Sequence, residues 1–142
     1  MNGAVLLLSL TVHAGPVSKP NERFPVTAVF TNISSSPVRM LTVFDPLPVF
    51  FTASAMAASG TRIDIAGMGK MDPLDGTLTY AELGPGETLE APLDLAPWIR
   101  GEVVPGTYRL SLQYHNAYGS DCFRGILDGE PTVVHVGHGE QP

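Results

Sequence analysis

Pro105-Gly106-Thr107-Tyr108-Arg109-Leu110-Ser111-Leu112-Gln113-Tyr114 is the stretch on which the fold turns. Tyr108, Leu110, Leu112 and Tyr114 alternate with Thr107, Arg109, Ser111 and Gln113. Successive side chains of a β-strand point to opposite faces, so this run has one apolar and one wet face. Pro105-Gly106 presets the turn that feeds it. The same period of two recurs upstream. Leu6, Leu8, Leu10 and Val12 oppose Ser9, Thr11 and His13; Phe24, Val26, Ala28 and Phe30 oppose Thr27 and Thr31; Leu89, Ala91, Leu93 and Leu95 oppose Thr88, Glu90 and Asp94. Such alternation is how antiparallel sheets with one buried face read.

Turn signals separate the runs: Gly15-Pro16, Lys19-Pro20-Asn21, Asn32 to Pro37, Leu83-Gly84-Pro85-Gly86-Glu87 and Val104-Pro105-Gly106. Val38 to Phe44 reads as a strand stopped by Asp45-Pro46-Leu47-Pro48, and Val49 to Ser54 as another. Ala55 to Ser59 is compatible with a helical turn ended by Gly60. Thr61 to Ala66, Thr77 to Leu83 and Thr132 to Val136 read as short strands, and Gly67 to Gly76 as a loop. No segment of helical length carries a 3.6-residue period. The chain has 142 residues, with 15 glycines, 13 prolines and only 15% charged residues. That is turn-rich and charge-poor against usual values of about 12% Gly plus Pro and about 25% charged. One domain is expected over residues 1–142, with 137–142 a frayed tail.

Short strands between regular turns point to an all-β, immunoglobulin-like antiparallel β-sandwich of seven to nine strands. Tyr108, just after Pro105-Gly106, matches a tyrosine corner, in which a Tyr hydroxyl turns back onto the chain at the start of a late strand. The disulfide and partner Trp of antibody domains are absent: the chain has one cysteine, Cys122, and its single Trp, Trp98, falls in a turn region.

Three segments also carry a family resemblance. Phe30-Thr31-Asn32 followed by Pro37-Val38, Leu83-Gly84-Pro85-Gly86-Glu87-Thr88, and Pro105-Gly106-Thr107-Tyr108-Arg109-Leu110 resemble the strand and turn motifs of bacterial Ig-like accessory domains. Their order resembles the non-catalytic N-terminal domain of deuterolysin-type (peptidyl-Lys) metalloendopeptidases, and the intracellular proteinase inhibitor family of bacilli. The resemblance covers about residues 24 to 136. It implies an accessory or protein-binding module, with a protease inhibitor or propeptide-like regulator as the alternative. The His-Glu-x-x-His helix of the protease proper does not occur in this chain.

Charge narrows the partners. Eight Lys and Arg against fourteen Asp and Glu give a net charge of −6, with no basic cluster. Phosphate backbones and anionic membranes both require clustered cations, so neither nucleic acid nor a membrane surface is expected as partner. The apolar stretch Ala4 to Val12 is too short for a span of about 20 residues. It lacks the basic flank of a signal peptide and reads as a first strand.

No constellation of catalytic or cofactor type emerges. His115 and Cys122, with Asp121 beside the Cys, are the one conceivable nucleophile and base pair, or metal pair. No Gly-x-Ser-x-Gly elbow accompanies them. A blue-copper site needs a close Cys-His-Met run, whereas the next His after Cys122 is His135 and no Met follows. His135 and His138, three apart, face opposite sides of an extended chain. Asp72-Pro73-Leu74-Asp75-Gly76 lacks the alternate oxygen ligands of a calcium loop and reads as turn chemistry. Gly67-Met68-Gly69-Lys70 has Asp64 where a P-loop needs Gly, and Met71 follows the Lys. Asn32-Ile33-Ser34 is a formal glycosylation acceptor. No cofactor is expected.

The segment Tyr114 to Arg124, Tyr-His-Asn-Ala-Tyr-Gly-Ser-Asp-Cys-Phe-Arg, has the mixture of rigid aromatics and adaptable polar groups used by binding loops. The expected contact residues are Tyr114, His115, Asn116, Tyr118, Asp121 and Arg124, and the expected partner is a protein, a protease being one candidate. The apolar segment 47–57, with Phe50, Phe51 and Met56, is a contact patch if exposed and core if buried.

Overall fold

A computed structural model describes residues 7–44, 47–66 and 78–137. Among these the chain is mostly strand and its named pairings are antiparallel. One sheet has the order β1 (Leu8–Ala14), β2 (Pro25–Asn32), β7 (Thr88–Asp94). A larger sheet has the order β10 (Gly125–Asp128), β9 (Gly106–Asn116), β4 (Phe51–Ala57), β5 (Arg62–Ile65), β8 (Ile99–Arg100), and β11 (Thr132–Val136) also pairs with β9. A ribbon of β3 (Val38–Leu41) and β6 (Tyr80–Leu83) completes the set.

The alternation fixes which side of each strand is buried. Leu8, Leu10 and Val12 on β1, Phe24 before β2 with Val26, Ala28 and Phe30, and Tyr108, Leu110, Leu112 and Tyr114 on β9 are all buried. Buried residues from all three sheets form one core cluster. Phe30 of the smaller sheet meets Tyr114 of the larger edge-on, ring centres 4.9 Å apart, and Phe51 at 6.4 Å. Burial of such rings is the main driving force for bringing the sheets together.

Eleven strand segments stand among the described residues, more than the seven to nine expected. Part of the excess is one strand broken in two. Asp128 is opposite Gln113 and Thr132 opposite Leu110, so three residues face two. This one-residue surplus is a bulge at Gly129-Glu130-Pro131, where Pro131 cannot donate to a ladder. The bulge brings Gly129 into a bridge with Leu10 of β1, and Val17 bridges Val136. The two larger sheets are thereby joined along one edge.

The middle of the chain departs from expectation twice. Leu47–Phe50 is a buried helical turn, not the start of a strand. Pro48 suits a first helical turn, where its missing N–H has no partner to lose. Ala55 to Ala57 continues β4 and is not helical. Ala55 lies opposite Leu110 and Ala57 opposite Tyr108, so small side chains sit beside large ones on the inner face. The chain reverses at Gly60, whose φ of +94° suits glycine. Gly67–Gly76, with both the calcium-type and P-loop-type stretches, lies outside the described residues, as do Asp45-Pro46, Ala4–Leu6 and His138 with the rest of the tail. Gly137 is tied in: its N–H donates to the Val17 carbonyl at 2.8 Å.

Two segments that carry the family resemblance meet at one side chain. Asn32 is buried, and its Nδ2 donates to the carbonyls of Ser36 and Leu83, both at 2.8 Å. Its Oδ1 accepts from the Ser34 N–H and hydroxyl. Its main chain exchanges bonds with Gly86 and Glu87. The turn after β2 and the Gly-Pro-Gly turn before β7 are thus clamped together. This geometry encloses the amide of the formal glycosylation acceptor.

Candidate functional site

The connection between β9 and β10, residues 117–124, is ordered by side chains on both flanks. Asn116 is buried, and its Nδ2 donates to the carbonyls of Tyr118 and Phe123, both at 3.0 Å. Its Oδ1 accepts from the Tyr118 N–H at 3.0 Å. One buried amide therefore satisfies main-chain groups at both ends of the loop, which water would otherwise have to supply. The Cys122 thiol donates to the Tyr118 carbonyl at 3.4 Å. The Phe123 N–H donates to the Arg39 carbonyl at 2.8 Å, docking the loop on β3.

Tyr80 of β6 backs the loop. Its hydroxyl accepts from the Ser120 N–H at 3.3 Å, and the Arg39 guanidinium stacks on its ring at 3.9 Å. Gly119 has φ +89°, and a Cβ there would lie 2.8 Å from the Cys122 sulfur. Only glycine fits that turn. Asp121 has φ +54°, a left-handed conformation that Asp tolerates better than most residues.

The six expected contact residues do not share a surface. Tyr114 and Asn116 are buried and face inward: Tyr114 is core and Asn116 is the loop's internal brace. His115 is half-buried on the outer face of β9, its Nε2 3.0 Å from the Thr52 hydroxyl. Burial holds its pKa below the usual imidazole value, against the opposing pull of the Phe51 and Val49 backbone. Tyr118 is half-buried with its ring edge on Phe50, while Asp121 and Arg124 are exposed. Tyr118, Asp121 and Arg124 remain as the loop's presented side chains. The apolar segment divides likewise: Phe50 and Phe51 are core, and Met56 is exposed.

His115 and Cys122 bond to different partners, Thr52 and the Tyr118 carbonyl. Burial raises the pKa of the inward-facing Tyr114, and Cys122 adds to that shift. Among the described residues no three His, Cys, Asp or Glu side chains are grouped to hold a metal ion. Among them, too, no helix is long and apolar enough to cross a membrane. Arg39, Tyr80 and Thr52 had no sequence signal: each joins the site only through strand pairing. No protein-family model matches the chain, and no curated protein matches it.

Proposed function

We propose that the chain is an immunoglobulin-like β-sandwich serving as a non-catalytic accessory or protein-binding module, which contacts its partner through the β9–β10 loop. The carrying observation is the Asn116 brace, which holds the loop from within while leaving Tyr118, Asp121 and Arg124 at its surface. A loop ordered before binding loses less entropy on association than a mobile one. The sandwich reading is supported by the ring contacts between β2 and β9 and by the Tyr108 hydroxyl, which donates to the Val104 carbonyl as a tyrosine corner does. The resemblance to protease-associated domains makes a protease the first partner class to test.

The test is affinity capture from the source lysate with wild type beside a Tyr118→Ala/Asp121→Ala/Arg124→Ala variant. A partner held by wild type and lost by the variant is expected. A captured protease that is slowed at stoichiometric dose would move the reading to inhibitor. Equal capture by both proteins would remove the loop as the contact surface.

A further inference from the structure

The outer face of the larger sheet carries a groove that the loop does not share. It has a volume of about 1210 Å³ and is lined from β4, β5, β9 and β11. Strand register sets the side chains along it. Arg62 lies opposite Met56, Met56 opposite Arg109, and Arg109 opposite Val133. Residues directly opposite in antiparallel strands share a face. One row across four strands therefore reads cation, apolar, cation, apolar. Beside it Ser54 faces Ser111, a floor of small side chains that leaves room for a ligand. Met56 is 42% exposed and Val133 53%, large values for apolar side chains in the middle of a sheet.

Charge identifies the occupant. The chain carries −6 overall and has eight Lys and Arg in all. Three of the eight, Arg62, Arg100 and Arg109, lie on this face. Asp64, the acidic residue of the lining, is opposite Arg100 on β8. Arg62 and Arg109 flank Met56, and neither has a charged residue opposite it on β4, nor has Arg109 one on β11. Neighbouring strands are about 4.8 Å apart, so the two arginines are rooted about 10 Å apart. Alternate side chains of an extended peptide are spaced about 7 Å, and long arginine side chains close the difference.

We propose that this groove binds an extended acidic segment of a partner protein, the carboxylates of two alternate residues meeting Arg62 and Arg109. Arginine suits carboxylates through its fork of donors. The rest of the molecule repels such a segment, so local charge directs it to this face. The inference is independent of the loop reading.

The probe is a fluorescein-labelled Gly-Glu-Leu-Glu-Leu-Glu-Gly peptide, followed by fluorescence anisotropy against the intact chain. Saturable binding that weakens as salt rises is expected. Arg62→Glu/Arg109→Glu should weaken it at least tenfold, as should Gln in place of Glu in the peptide. Lys19→Glu/Arg23→Glu makes the same charge change at exposed residues elsewhere and should alter the affinity less than twofold. Circular dichroism confirms that both variants fold. No saturable binding, equal binding of the Gln peptide, or equal loss in both double variants would overturn the proposal. So would a dimer in sedimentation that Arg62→Glu/Arg109→Glu dissociates, because a second copy would then be the occupant. Retained peptide binding by the loop variant Tyr118→Ala/Asp121→Ala/Arg124→Ala would separate groove from loop.

Discussion

Tyr114 is fully buried among Phe30, Phe51 and Phe123, yet among the described residues its hydroxyl has no hydrogen-bond partner. An unsatisfied buried hydroxyl costs about 1–3 kcal/mol of desolvation, whereas the ring contributes packing. Tyr114→Phe keeps the ring and removes the orphan. The expected result in chemical denaturation is unchanged or increased stability, by up to about 1–2 kcal/mol. The same residue gives a pH dependence of definite sign. Burial, and then Cys122, raise the folded-state pKa above the usual phenol value. Above about pH 10 the unfolded chain releases the Tyr114 proton while the folded chain keeps it, so stability falls as pH rises. Tyr114→Phe should flatten that alkaline loss, read from thermal midpoints between neutral pH and pH 11. An equally steep loss in the variant would show that Tyr114 is not the source of the alkaline dependence.

The bulge between β10 and β11 is the element on which joining of the two larger sheets depends. A Cβ on Gly129 would lie 2.8 Å from the Leu112 carbonyl oxygen and 2.9 Å from the Val12 side chain. The first of these is backbone that the β9 ladder holds, so it cannot yield cheaply. Gly129→Ala should destabilise by about 1–3 kcal/mol, the usual range for overpacking a filled site. Gly15→Ala, where a Cβ meets nothing within 4 Å among the described residues, is the control and should change stability by less than about 0.5 kcal/mol. Equal effects at both positions would mean that the seam is not tightly packed. Neither the bulge nor the seam was legible in the sequence, since Gly-Glu-Pro reads as any turn. What was legible had a period of two: the buried faces of β1, β2, β7 and β9 follow directly from alternation. The helical turn at Leu47–Phe50 was missed because a continuous apolar run has no period to read. The candidate site was legible only as a segment. Alternation already put Tyr114 on the inner face with Leu112, but the inward turn of Asn116 depends on carbonyls that only the folded loop brings near.

Across the molecule, the ring contacts form a chain from Phe30 on β2, through Phe44 and Phe51, to Tyr114 on β9 and Phe123 in the loop. The same cluster takes in Met40 and Leu83 from the β3–β6 ribbon. No sheet buries its apolar face without the other two, so none has a core of its own to survive on. Unfolding should therefore be one cooperative transition. Trp98 offers an internal test, because it lies at the far edge of the larger sheet, where its carbonyl accepts from the Ala66 N–H at 2.7 Å. Its fluorescence reports the β5–β8 edge, while far-ultraviolet circular dichroism reports all strands. The two denaturation curves should superimpose, with one midpoint and one slope. If Trp98 fluorescence changed at lower denaturant, the β5–β8 edge would open before the core. Arg62 would then be presented by a strand that frays, and the groove's affinity for an acidic segment would fall at denaturant concentrations where the remaining strands still stand.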